Sequence, residues 1–440
     1  MRIPFLPLLV ALLAAAVLPA TAGAADRPFA PGDRPGPPLT VPKAQLEDAI
    51  TCRGDFSDHS KPAVLLVPGT FVDAQDFYSW NLMPALSARG IPWCAVSAPN
   101  HNLGDIAVAG EYDTYAIRKT FALAGRPISV VGHSQGGMQP RWALRFWPDT
   151  RAMVADQVGV AAAHHGAPPE DLATLFPTVI FATCGLRGCP PAVWQLDPKS
   201  RFLAAMNSDR EMFAPVSYTS IYSTSDEVVA PSSTVLHGAA SSGGYRRTAI
   251  QDVCPGRISD HVLDGTVDPV SFALVLDAIE HPGPADPGRI DRSVCSQLTI
   301  PGLDPIATVS GALPLLRDII AGVALPSPLL RAEPALPCYV YADCPTATAA
   351  AAPTNAAPRA RARIRRASGA ARYVLDGRRS TDADGRIVRW RWSVGGKVVS
   401  RRARLVRRIR ATGRRTVRVA LTVTDDDGAT STVRRTVRGR

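Results

Sequence analysis

The chain has 440 residues, 46% hydrophobic and 20% charged. That balance excludes wholesale disorder, and the length leaves room for more than one folded unit. The net charge of +11 is unevenly held: residues 361–440 carry 24 Lys+Arg against 6 Asp+Glu, a net of +18, and the remainder 25 against 32, a net of −7. A basic terminal block on a mildly acidic body attracts anionic surfaces or polymers, and salt weakens that attraction.

At the N-terminus, Arg2 precedes an apolar run from Phe5 to Leu18. The run is shorter than the roughly 20 residues of a membrane span. Ala22-Gly23-Ala24 offers a small-residue cleavage site. Residues 1–24 therefore read as a secretory signal, with the mature chain beginning at Ala25; an uncleaved anchor is the alternative. The expected location is extracellular, with the option of cell-surface association. Export suits the eight cysteines, Cys52, Cys94, Cys184, Cys189, Cys254, Cys295, Cys338 and Cys344. Their pairing is open at this point, because eight thiols allow about 105 connectivities. CxxC pairs and zinc spacing are lacking, so the reading assigns no metal and no cofactor.

Residues 26–50 are Pro-rich and polar and are expected on the surface. The runs AVLLVPG (63–69), ISVVG (128–132), VGVAAAH (158–164) and VSYTSIYS (216–223) are short and apolar. Helix-length stretches separate them, as in a mainly parallel sheet covered on both faces. One such helix is expected over 135–147, with a local kink where Pro140 lacks an N–H. Residues 305–330 are largely apolar and read either as a core helix or as a mobile amphipathic helix at a pocket mouth. A Pro/Ala-rich linker over 346–360 follows. Beyond it, VRWRWSV (388–394) and TVRVALTVTDDDG (416–428) alternate apolar and polar residues, as antiparallel strands do. The domain reading is an α/β unit over 25–345 and a basic β-sandwich over 361–440.

Gly132-His133-Ser134-Gln135-Gly136 fits the G-x-S-x-G pattern. A serine on a tight strand-to-helix turn needs glycines two positions away, where neighbouring backbone comes close. The apolar strand before it and the helical stretch after it are the context the motif requires, so Ser134 reads as a nucleophile. His133, its neighbour, points to another side of such a turn and is assigned to a substrate-pocket wall or to packing behind the strand. The order nucleophile, acid, base leaves His237, His261 and His281 as downstream histidines. Asp226 follows a strand directly, where a carboxylate reaches the sheet's C-terminal edge, with Glu227 as the fallback. His261, in a polar loop, is the preferred base; His281 precedes Pro282 at a helix end, where a histidine often caps. The oxyanion donors are expected to be the backbone N–H of Gln135 and Thr70, the latter in the loop after VLLVPG.

The series TCRGDFSDHSKPAVLLVPGT, SQGG with RWALRFWP, AVWQLDPKSRFL, IYSTSDEVV and ISDHVLD resembles the Candida antarctica lipase B-like family over about residues 40–345. The resemblance implies an α/β-hydrolase of lipases and esterases that needs no metal. It places Ser134, Asp226 and His261 on the family's triad and Thr70 and Gln135 on its oxyanion hole, and implies the disulfides Cys52–Cys94 and Cys254–Cys295. The chain departs from the family at Gly132-His133, where the relative has Thr-Trp, so alcohol selectivity does not carry over. Cys184 and Cys189 have no placed counterpart, and Cys338 and Cys344 stand closer together than the family's last pair. LDGRRSTDADGRIVRWRWSV and LTVTDDDGATSTV are similar to a PKD-type β-sandwich. SVGGK (393–397) replaces that family's acidic turn, so Asp425, Asp426 and Asp427 read as turn residues.

The expected function is a secreted serine lipase or carboxylesterase acting through an acyl-enzyme on lipid-like esters. The alternatives are a polyester or cell-envelope ester hydrolase and, from another class, a non-catalytic envelope-binding protein on a hydrolase scaffold. The expected partners are an ester substrate and an anionic surface or glycan for the basic domain. Nucleic acid is disfavoured by the exported context and by missing motifs, and a monomer is expected.

Overall fold

The computed structural model describes residues 27–168, 184, 188–240, 242–303, 328–345, 356–368, 371–383, 385–409, 416–425 and 428–438. The signal segment, most of the linker and all but the end of 305–330 lie outside them. Seven strands form the N-terminal sheet: β1 (Ile50–Arg53), β2 (Val64–Val67), β3 (Trp93–Val96), β4 (Ile128–His133), β5 (Val154–Val160), β6 (Ser217–Tyr222) and β7 (Tyr245–Ala249). Their spatial order is β1-β3-β2-β4-β5-β6-β7, with β1 antiparallel and the other pairings parallel.

Every residue of β2, β3 and β4 is buried. Alternate residues feed different cores: Leu66, Val131, Val158 and Ile221 on one face, Leu65, Val67, Val130 and Tyr218 on the other. Burial on both faces is why these runs are apolar throughout instead of alternating. From β2 the chain crosses to β3 on one side; from β4 it crosses to β5 on the other. The carboxyl ends of β2 and β4 thus border a topological switch point, where open α/β sheets hold ligands.

The helix Ile106–Ala124 covers one face. Asp105 caps it by accepting the Ala107 N–H, and Gly125 ends it at φ 68°. Pro140 divides the expected helix at 135–147 into two, Gln135–Met138 and Pro140–Phe146. Proline takes the first position of the second helix, where its missing N–H costs nothing.

Four disulfides are present, Cys52–Cys94, Cys184–Cys189, Cys254–Cys295 and Cys338–Cys344. The first joins β1 to β3 at directly paired positions and ties down the edge strand. No described helix is long and apolar enough to cross a membrane.

The C-terminal unit has seven strands: β8 (Arg363–Arg366), β9 (Arg372–Asp376), β10 (Ile387–Val394), β11 (Lys397–Ser400), β12 (Arg404–Arg408), β13 (Thr416–Asp425) and β14 (Thr430–Arg438). They form two antiparallel sheets, β11-β10-β13-β14 and β12-β9-β8. Leu375, Trp392, Leu421 and Val423 are fully buried between them. Gly395 and Gly396 turn β10 into β11 with φ of 58° and 85°, which the tight hairpin requires.

Candidate active site

Ser134 stands between β4 and the helix Gln135–Met138 with φ 55° and ψ −125°. Few non-glycine residues adopt such backbone, and it persists only where the surroundings hold it. Its N–H donates to the Val160 carbonyl at 2.9 Å, locking the turn to β5. A Cβ on Gly132 would lie 2.0 Å from the Gly136 carbonyl oxygen; one on Gly136 would lie 2.2 Å from that of Pro68. The glycines of the motif thus answer two close approaches, one inside the turn and one to the end of β2. Ser134 itself keeps partial exposure.

Asp226 lies just beyond β6. One carboxylate oxygen accepts the Val228 and Val229 N–H groups, both at 2.8 Å, and the other lies 2.9 Å from His261 Nδ1. Both side chains are buried, Asp226 to 1% exposure and His261 to 7%. Burial opposes ionisation of Asp226 most strongly, but the His261 charge and hydrogen bond, joined by the two backbone donors, hold its pKa below the ordinary value. His261 opens the helix His261–Thr266, capped by Asp260. Its own N–H donates to Glu227 at 3.3 Å, so the fallback acid holds the main chain of His261 while Asp226 holds its ring.

His133 is buried, at 4% exposure. Its Nε2 lies 2.8 Å from the His261 carbonyl oxygen, and it stacks on Phe77 with centroids 5.0 Å apart. Gly265 makes room for it: a Cβ there would meet the imidazole at 2.2 Å. Burial, then the neighbouring His261 charge, pushes its pKa down to about 3.

The Thr70 hydroxyl donates to Gln135 Oε1 at 2.7 Å, which joins the loops after β2 and β4. Neither the Thr70 nor the Gln135 main-chain N–H has an acceptor among the described residues. The sequence reading missed Asn102. Its side-chain amide donates to the Pro68 and Gly69 carbonyls at 3.0 and 3.1 Å, and its own carbonyl accepts from Gln135 Nε2 at 3.2 Å. Asn100, His101 and Asn102 all have positive φ, between 52° and 58°. The NHN run was the available signal, since Asn is among the residues that tolerate this region.

The other downstream histidines lie elsewhere. His237 donates its N–H to Glu211 at 2.8 Å, and His281 caps the helix Pro269–Glu280 beside Asp277. Among the described residues one group, Asp73, Asp76 and His101, brings metal-ligand donor atoms within 4.8 Å of one another. All three are partly exposed, and His101 Nδ1 lies 3.1 Å from a carboxylate oxygen of Asp73.

The class 2 lipase family profile matches residues 119–246, a span holding the serine turn and Asp226. Lipase B of Pseudozyma antarctica is 28% identical over 297 residues, covering 65% of this chain and 82% of the relative. Over its N-terminal unit the chain is similar to lipase B. The crystal structure of Aspergillus fumigatus lipase B is also 28% identical, with a TM-score of 0.61, over 70% of this chain and 74% of that one. A PKD domain profile matches residues 355–438, so the lipase B-like unit is followed by a PKD-like sandwich. The first unit is thus similar to lipases and the second to PKD domains.

Proposed function

We propose that the protein is a secreted serine lipase or carboxylesterase that cleaves lipid-like carboxylic esters through an acyl-enzyme on Ser134. The observation that carries this is the strained Ser134 turn combined with the 2.9 Å His261–Asp226 contact at the same sheet edge. With Nδ1–H directed to Asp226, His261 keeps Nε2 as the base. It removes the Ser134 proton as Oγ attacks the ester carbonyl, then protonates the leaving alcohol; water repeats the sequence to release the acid. Asp226 fixes the tautomer and stabilises the imidazolium. The main-chain N–H groups of Thr70 and Gln135 stabilise the tetrahedral oxyanion; losing one such donor costs about 3–4 kcal/mol of transition-state stabilisation.

Secretion with cleavage before Ala25 is part of this reading, and the four disulfides support it. So is the division into a hydrolase unit at 25–345, a linker at 346–360 and a basic sandwich at 361–440. The deciding experiment is turnover of p-nitrophenyl esters from acetyl to palmitoyl, with Ser134→Ala as control. Activity that vanishes in the variant across the series supports the proposal; turnover kept by the folded variant removes it.

A further inference from the structure

The outer face of the four-stranded sheet carries a pattern that ester hydrolysis does not use. Along β13, Val419, Leu421 and Val423 point inward, so the residues between them point outward. Their cross-strand partners follow from the register. Arg389 lies opposite Thr424, Arg391 opposite Thr422, Arg434 opposite Ala420, Arg418 opposite Thr436 and Arg438 opposite Thr416. Five successive rungs therefore hold one arginine each. Rungs are two residues apart, about 7 Å, so the track runs for about 27 Å. All five arginines are exposed; none lies within ion-pair distance of a carboxylate among the described residues, although Asp55 of the first unit feels the charge of Arg389. The outward positions in this register include no Asp or Glu; Asp425 points inward and is 1% exposed.

What else stands on the face narrows the partner. Thr and Ser hydroxyls fill most of the remaining outward positions, with Ala420 and, on the edge strand β11, Val398 as the apolar ones, and Thr422 and Thr432 bond to each other at 2.8 Å. Aromatic rings are turned away: Trp392 is fully buried, and Trp390 donates inward to the Gly377 carbonyl. Single-stranded nucleic acid would call for outward rings on which bases stack. A lipid interface would call for an apolar or aromatic anchor. Guanidinium forks at a regular spacing, flanked by hydroxyls, match the anionic groups and hydroxyls of a sugar chain. We propose that this face is a docking track for a linear polyanionic glycan.

The test uses the full chain and a fluorescent heparin dodecasaccharide, followed by anisotropy at several NaCl concentrations. Combined replacement Arg391→Ser, Arg418→Ser and Arg434→Ser should weaken binding about thirtyfold and flatten the log–log salt slope by about 2. The matched control Arg365→Ser, Arg372→Ser and Arg408→Ser removes the same charge from the outer face of β12-β9-β8 and should change affinity less than about threefold. Turnover of soluble esters should be unchanged in both. Equal weakening by the two triples would mean that net charge alone acts, and would overturn the track. So would absence of heparin binding by the intact chain, or tighter binding to a single-stranded oligonucleotide or to phosphatidylglycerol vesicles. If the track triple does not fold, Arg418→Gln against Arg372→Gln makes the same comparison, with weakening expected in the first alone.

Discussion

His133 and His261 are distant in sequence, yet their rings lie 4.6 Å apart and one holds the other's main chain. The burial of His133 makes it a source of acid sensitivity. The unfolded chain protonates this histidine below its ordinary 6.5, whereas the folded chain resists until about 3. Its folded pKa is depressed, so its contribution to stability is present above 6.5 and is lost as pH falls through that window. The expected outcome is that the wild type loses stability relative to His133→Asn between about pH 6.5 and 3, read as urea midpoints. Parallel curves would contradict a buried neutral imidazole. The motif points to Ser134 as a candidate, and residue order and family likeness to Asp226 and His261; the structure brings Asp226 and His261 within 2.9 Å. Asn102 was not legible in the sequence, because it acts by bonding main-chain carbonyls from a left-handed loop, and no side-chain motif marks that.

Two loops, after β2 and after β4, meet because these parallel strands are neighbours and the chain leaves them toward opposite sides of the sheet. The loop carrying Thr70 has few ties of its own, and Asn102 supplies two of them. Asn102→Ala should therefore lower kcat about 10- to 100-fold with little change in KM, since the oxyanion exists only in the transition state. A rise in KM at constant kcat would show that Asn102 serves substrate binding instead. The strands themselves were readable, because burial on both faces demands continuous apolar runs. Pro140 was readable as a disturbance of the helix, but its form was not. A kink inside one helix and the start of a second both satisfy a missing N–H, and the packing of Trp142 and Phe146 in the core decides between them.

The two units have separate cores, with Leu375, Trp392 and Leu421 closing the second without a residue of the first. Deleting residues 346–440 should leave kcat/KM on soluble esters within about twofold and the melting of the hydrolase unit within a few degrees. A collapse of either would show that the sandwich supports the active unit. At this scale the sequence was informative about composition and charge, since the +18 block coincides with the second unit. It could not show that one arginine stands on each rung, because that depends on the register between β10, β13 and β14.

The central claim is that Ser134 is acylated. Its most direct test is treatment with a p-nitrophenyl phosphonate ester, followed by peptide mass spectrometry. One phosphonyl group per chain is expected, on the peptide carrying Ser134, with activity lost in proportion, slow labelling in His261→Ala and none in Ser134→Ala. An active enzyme that is labelled at another residue, or that loses activity with Ser134 unmodified, would contradict that claim.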